Sequence, residues 1–265
     1  MKEIKLIAFD IDGTLVARGQ QTVSEKTKIA IEKLKAKNIK VLVATGRIPT
    51  LIQDSIHTVL APDFYVTING QLVVDQHFNV VTHRPLDSNE VQYLINYSRE
   101  HQINMGLKWE KGMRVVTNFD EFAKVYVEHD LDKLKYLSDH SQDSEFDLRH
   151  IYGVFFIGSV EKVLALESHL KTLVLSHAFD DSYELFDPSV SKSKGIEDTL
   201  SHYNLTWDNV ISFGDAHNDI DMLKKSKIGI AMGNATEDVK SVADYTTLSV
   251  EEDGVYTTLK QLNLI

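Results

Sequence analysis

The 265-residue chain contains no cysteine, which excludes disulfides, thiolate nucleophiles and every zinc or iron–sulfur site built on sulfur ligands. It also has no basic block. With 28 Lys+Arg against 39 Asp+Glu the formal charge is −11, so no stretch is set to release counterions from a nucleic-acid backbone. Long apolar runs are missing too. The opening MKEIKLIAFDID carries Lys2, Glu3, Lys5, Asp10 and Asp12 around a short apolar stretch. That reads neither as a signal peptide nor as a spanning helix, and a cytoplasmic protein is expected. The chain shows no internal repeat and no low-complexity linker. Its chemistry has to use oxygen and nitrogen.

What is present is an ordinary globular composition, 43% hydrophobic and 25% charged, which excludes disordered, collagen-like and coiled-coil readings. At this length a single core nears its size limit, so two packed units are expected. Ile4–Phe9 is an apolar run too short for a helix and reads as a buried parallel strand. Ser24 then caps a helix through SEKTKIAIEKLKAKN, with Ile31 and Leu34 at helical spacing. Ile39–Ala44 repeats the strand pattern, Thr45-Gly46-Arg47 breaks it, and Pro49 suits the next helical turn. Phe64–Ile68 is a third strand, followed by an Asn69-Gly70 hairpin turn. From about Arg84 the pattern changes. Helices at Asn89–Gln102 and Phe119–His129 alternate with strands at Met113–Thr117, Tyr152–Ile157 and Tyr183–Phe186, an α+β arrangement. After Asp187-Pro188 the first grammar returns, with a helix from about Lys194, a strand Val210–Phe213, a helix near Asp219–Lys225, a strand Ile228–Ala231 and a closing helix. The fold expected is α/β: a doubly wound, mostly parallel, Rossmann-like core over 1–83 and 188–265, with an α+β insert over 84–187.

Ligands of such sheets collect outside the carboxyl ends of the strands. The polar residues of this chain fall there, in Asp10-Ile11-Asp12-Gly13-Thr14, Thr45-Gly46-Arg47 and Gly214-Asp215-Ala216-His217-Asn218-Asp219. So many carboxylates on neighbouring loops repel one another unless a cation sits among them, and oxygen-only ligands suit Mg²⁺. Thr45, Gly46 and Lys194 offer hydroxyl, backbone N–H and ammonium donors to a phosphoryl group. A small phosphate ester is the substrate class this suggests. Asp10 and Asp12 can divide the work of nucleophile and acid, the surroundings deciding which is which.

The motifs Asp10-Ile11-Asp12-Gly13-Thr14-Leu15, Thr45-Gly46-Arg47, Lys194-Gly195, Gly214-Asp215-Ala216-His217-Asn218-Asp219, Ala231-Met232-Gly233-Asn234-Ala235 and Glu252-Asp253-Gly254-Val255 resemble the haloacid dehalogenase (HAD) superfamily. More narrowly, they are similar to its Cof-type phosphatases, whose α+β cap of type IIB corresponds to the insert. The resemblance implies Mg²⁺-dependent hydrolysis of small phosphomonoesters such as sugar phosphates, nucleotides or cofactor phosphates. It assigns Asp10 as the nucleophile that carries an aspartyl-phosphate and Asp12 as general acid and base. Asp10, Asp12 (through its carbonyl) and Asp215 become the metal ligands. Ile11, Thr45, Gly46, Lys194 and Asn218 become the phosphate contacts, Lys194 also neutralising charge, with Asp219 behind the metal shell. Lys192 competes with Lys194; Lys194 is preferred because Gly195 follows it. A phosphomutase using the same intermediate, or a non-catalytic phosphate-sensing protein, are the alternatives. The protein is expected to act on a small phosphorylated metabolite as a monomer or weak homodimer, with no nucleic-acid or membrane partner. Arg47 reads as a rim or salt-bridge residue, Trp109, Tyr126 and Tyr152 as core, and His217, with no second histidine at ligand spacing, as no zinc site.

Overall fold

The computed structural model describes residues 3–127, 131–178 and 180–265, with backbone only at 131 and 132. Strands are numbered in chain order: β1 Leu6–Phe9, β2 Lys40–Ala44, β3 Phe64–Thr67, β4 Leu72–Asp75, β5 Val80–His83, β6 Asn104–Trp109, β7 Gly112–Thr117, β8 Leu137–Asp139, β9 Gly153–Ile157, β10 Val174–His177, β11 Ser182–Phe186, β12 Val210–Gly214, β13 Ile228–Ala231 and β14 Tyr245–Thr246. The helices are α1 Glu25–Ala36, α2 Ser88–His101, α3 Phe119–Val127, α4 Val160–Ala165, α5 Lys192–His202, α6 Ile220–Lys225, α7 Glu237–Val242 and α8 Gly254–Gln261. The chain divides into two compact units, one of Met1–Arg47, Ile52–His83 and Val190–Ile265, the other of Ile48–Leu51 and Arg84–Ser189.

The first unit is built on an eight-stranded sheet in the order β14-β13-β12-β1-β2-β3-β4-β5. All pairs from β14 to β3 are parallel. The Asn69-Gly70 turn reverses the chain, so β4 and β5 close the sheet antiparallel. Strands β1 and β12 are buried along their whole length, as expected where a parallel sheet is covered on both faces. Leu6, Ala8, Leu42, Ala44, Phe64 and Val66 share one apolar cluster with Ile196 and Leu200 of α5 and Met222 of α6. The alternate residues Ile7 and Phe9 point the other way, where Phe9 stacks on Phe213 with ring centroids 5.2 Å apart. Helix α1 starts where its cap predicts: the Ser24 hydroxyl accepts from Thr27 N.

The second unit holds a six-stranded sheet, β10-β11-β9-β6-β7-β8, antiparallel except between β7 and β8. One face packs with Val91, Leu94 and Ile95 of α2 and Val163 of α4, the other with Phe122 of α3. Tyr152 is fully buried, and Trp109 and Tyr126 pack against these clusters, as the core reading expects. Helix α3 is described over Phe119–Val127, and residues 128 and 129 of the expected Phe119–His129 lie outside the described residues. Strands β5 and β10 were not among the sequence expectations because exposed, partly polar segments lack a buried run to mark them. No helix among the described residues is long and apolar enough to cross a membrane.

Candidate active site

Three parallel strands deliver the acidic residues to one edge. Strand β1 runs into Asp10, whose N–H donates to the Phe213 carbonyl of β12 at 3.0 Å. The turn that follows folds onto Ile11, whose carbonyl accepts from Thr14, Leu15 and Val16. Ile11 is fully buried and does not line the cleft at this edge. Gly13 adopts φ +94, and a Cβ there would lie 2.3 Å from Asp215 Oδ2. Glycine is required both by the backbone and by the carboxylate packed against it. At the end of β12, Asp219 turns back: its Oδ2 accepts from Asp215 N and Ala216 N, both at 3.0 Å. Thr14 Oγ1 donates to Asp215 Oδ1 at 3.1 Å, and Arg18 reaches Asp215 Oδ2 at 3.4 Å.

Lys192, not Lys194, enters this cluster. Its Nζ donates to Asp10 Oδ1 at 2.5 Å and to Asp219 Oδ1 at 2.7 Å, with the side chain 1% exposed. Lys194 is half exposed and pairs with Glu197 at 3.4 Å, outside the site. The cause is helix register. Ser191 caps α5, so the helix begins at Lys192, two residues earlier than expected. Residues two apart on a helix do not share a face, so only one of the two lysines can reach Asp10. The signal was present in the sequence as Ser191, a good cap.

The carboxylate oxygens of Asp10, Asp215 and Asp219 lie within 4.8 Å of one another, a cluster that can hold a divalent cation. Burial pushes Asp10 up to about 8; Lys192 opposes this, and Asp219 and Asp215 add to it. Asp215 is raised by burial and by Asp219, against Thr14 and Arg18. Burial works against the Lys192 ammonium, yet Asp10 and Asp219 override it and raise its pKa. One ammonium is thus shared among three buried carboxylates, a deficit of positive charge that a divalent cation would fill. Asp219 has one oxygen on Lys192 and the other on two backbone N–H groups. It orients Lys192 and the β12 loop, and with Asp10 and Asp215 it makes up the carboxylate group that could hold a metal.

The remaining expected residues meet around a cleft of ≈ 430 Å³ lined by Asp10, Asp12, Arg18, Gly19, Thr45, Gly46, Arg47, Ala216 and Asn218. Its size suits a small metabolite. Thr45 Oγ1 accepts from Arg47 N at 3.1 Å, which leaves its hydroxyl hydrogen free to donate. Arg47 grips Asp12 with two bonds, Nε to Oδ2 at 2.8 Å and a terminal nitrogen to Oδ1 at 2.7 Å. This agrees with its salt-bridge reading. Asn218 Nδ2 donates to Asn69 Oδ1 at 2.9 Å. His217 is exposed and faces Asp238. Asn234 braces the first loop, donating to the Gly13 carbonyl at 2.9 Å while accepting from Val250 N. Thr14, Arg18 and Asn69 were not assigned from sequence, since their partners lie 197 and more positions away for Asp215 and 149 for Asn218.

A mostly parallel sheet with this cluster at its carboxyl edge places the site where α/β enzymes bind their ligands, and residues 7–259 match the haloacid dehalogenase-like hydrolase family, to which the chain belongs. It is 29% identical over 253 residues to the 5-amino-6-(5-phospho-D-ribitylamino)uracil phosphatase YcsE of Bacillus subtilis, covering 96% of this chain and 93% of that protein. A HAD-superfamily phosphatase from Bacteroides thetaiotaomicron superposes with a TM-score of 0.83 at 26% identity, covering 99% of this chain and 96% of the other. A HAD subclass IIB sugar phosphatase superposes at 0.80 and 26% identity, covering 98% of this chain and all of the other. The chain is a HAD-superfamily phosphatase.

Proposed function

We propose that the protein hydrolyses small phosphomonoesters with Mg²⁺ through an aspartyl-phosphate on Asp10. The observation that carries this reading is Asp10 itself, a buried carboxylate with one oxygen held by Lys192. Its other oxygen is the nucleophile, attacking phosphorus as the bond to the leaving-group oxygen breaks. Asp12 gives its proton to that oxygen, then takes one from the water that attacks the phospho-enzyme, releasing inorganic phosphate and restoring Asp10. Thr45, the Ile11 and Gly46 backbone, Asn218 and Lys192 hold the phosphoryl oxygens. Asp10, Asp215 and the Asp12 carbonyl are the groups that would hold Mg²⁺. When bound, the ion neutralises the charge that otherwise sets phosphate against these carboxylates. Asp12 has to leave Arg47 before it can serve the leaving group.

Two relatives are named for a phosphorylated ribityl compound and for sugar phosphates, so phosphorylated sugars and sugar alcohols head the substrate panel. The test is release of free phosphate from that panel, abolished by EDTA and restored by Mg²⁺. Mg²⁺ is also expected to raise the melting temperature of the wild type but not of Asp215→Asn. Full activity in excess EDTA, or no thermal shift, would remove the metal from the reading. The acid role has its own check. Asp12→Ala should lose about 10²-fold or more on a sugar phosphate, whose alkoxide must be protonated, and clearly less on an aryl phosphate. Equal losses on both would take Asp12 out of that role.

A further inference from the structure

The turn after β3 is strained in a way a plain hairpin does not require. Ile68, Asn69 and Gly70 have φ of 49, 52 and 100, and a β-branched residue such as Ile68 is rarely found there. Strain of this kind persists only where the surroundings over-determine the conformation. They do so here from two sides. Ile68 N donates to the Arg47 carbonyl and Asn69 N to the Thr45 carbonyl, each at 3.0 Å. Beneath Gly70, a Cβ would lie 2.1 Å from the Ser191 carbonyl, at the cap of the helix that presents Lys192. The turn therefore ties the Thr45-Gly46-Arg47 loop to the lysine helix.

The Asn69 side chain is not needed for that. Glycine would hold the same φ, and the two backbone bonds use no side-chain atom. Its carboxamide instead sits against Gly46, where a Cβ would be 3.3 Å from Asn69 Oδ1, and accepts from Asn218 Nδ2 at 2.9 Å. Both of these neighbours line the cleft. An exposed asparagine amide can present either its oxygen or its nitrogen, and only the N–H side suits an anion. With Asn69 Oδ1 beside it, the flipped Asn218 would set two carbonyl oxygens face to face.

We propose that Asn69 is a positioning residue which, through its Oδ1, turns the Asn218 amide so that the second N–H on Nδ2 is presented to the phosphoryl group. This rests on the reading of Asn218 as a phosphate contact. Asn69→Gly keeps the turn and removes the carboxamide alone. The readout is the inhibition constant of inorganic phosphate against an aryl phosphate. That constant does not depend on how much of the enzyme is folded, so a merely structural role would not move it. Asn69→Gly and Asn218→Ala are each expected to raise it about tenfold, the loss of one charge-assisted hydrogen bond. The double variant should be no more than about threefold beyond the worse single, because the two residues act as one unit. A wild-type constant in Asn69→Gly beside a raised one in Asn218→Ala would overturn the inference, as would losses that multiply in the double. An unchanged constant in Asn218→Ala would instead remove the phosphate contact beneath it, and the inference with it.

Discussion

Asp10→Asn is expected to lower kcat/KM by at least about 10⁴-fold, since an amide cannot form the phospho-enzyme and single nucleophile deletions cost several powers of ten. Folding should survive. The asparagine oxygen still accepts from Lys192, and the variant removes one of three carboxylates crowded within 4.8 Å. Its melting temperature without metal should therefore equal or exceed that of the wild type, because a buried charge short of partners is costly. Steady-state kinetics on an aryl phosphate and a circular-dichroism melt read the two halves separately. More than about a tenth of wild-type turnover would place the nucleophile elsewhere.

The second large effect distinguishes two lysines that the sequence sets side by side. Lys192→Ala should cost about 10³-fold or more in kcat, by removing the donor that binds Asp10 and, in the proposed reaction, the phosphoryl oxygens. It should also destabilise the protein by about 3 kcal/mol, because Asp10 and Asp219 are left buried without their shared cation. Lys194→Ala removes only a half-exposed partner of Glu197, a contact worth less than about 1 kcal/mol. Its kinetics should stay within about threefold of the wild type. Should Lys194→Ala lose as much activity as Lys192→Ala, the assignment of the lysine would fall.

What the sequence by itself determined is the part governed by short-range patterns. The buried runs at Leu6–Phe9, Lys40–Ala44 and Val210–Gly214 mark a covered parallel sheet, because only such strands are apolar on both faces. The Asp, Thr and Gly residues that follow them lie at the strand ends where sheets of this kind gather ligands. Position along the chain was enough to put Asp10, Asp12, Thr45, Gly46, Asp215 and Asn218 at strand ends as candidates, and the resemblance supplied the role expected of each. The tertiary structure decided whatever depends on direction and on distant partners. The start of α5 at Lys192 turned Lys194 away to Glu197, since a shift of two residues rotates a helical side chain to another face. Asp219 became a clamp on Lys192 and the β12 loop once both its oxygens found donors. The pairing of Asn69 with Asn218 spans 149 positions. An Asn-Gly turn has reason enough to exist in its own backbone, so nothing local to it announces that its side chain meets a residue from the end of β12, brought to it by the common sheet edge and by α5 packed against both turns.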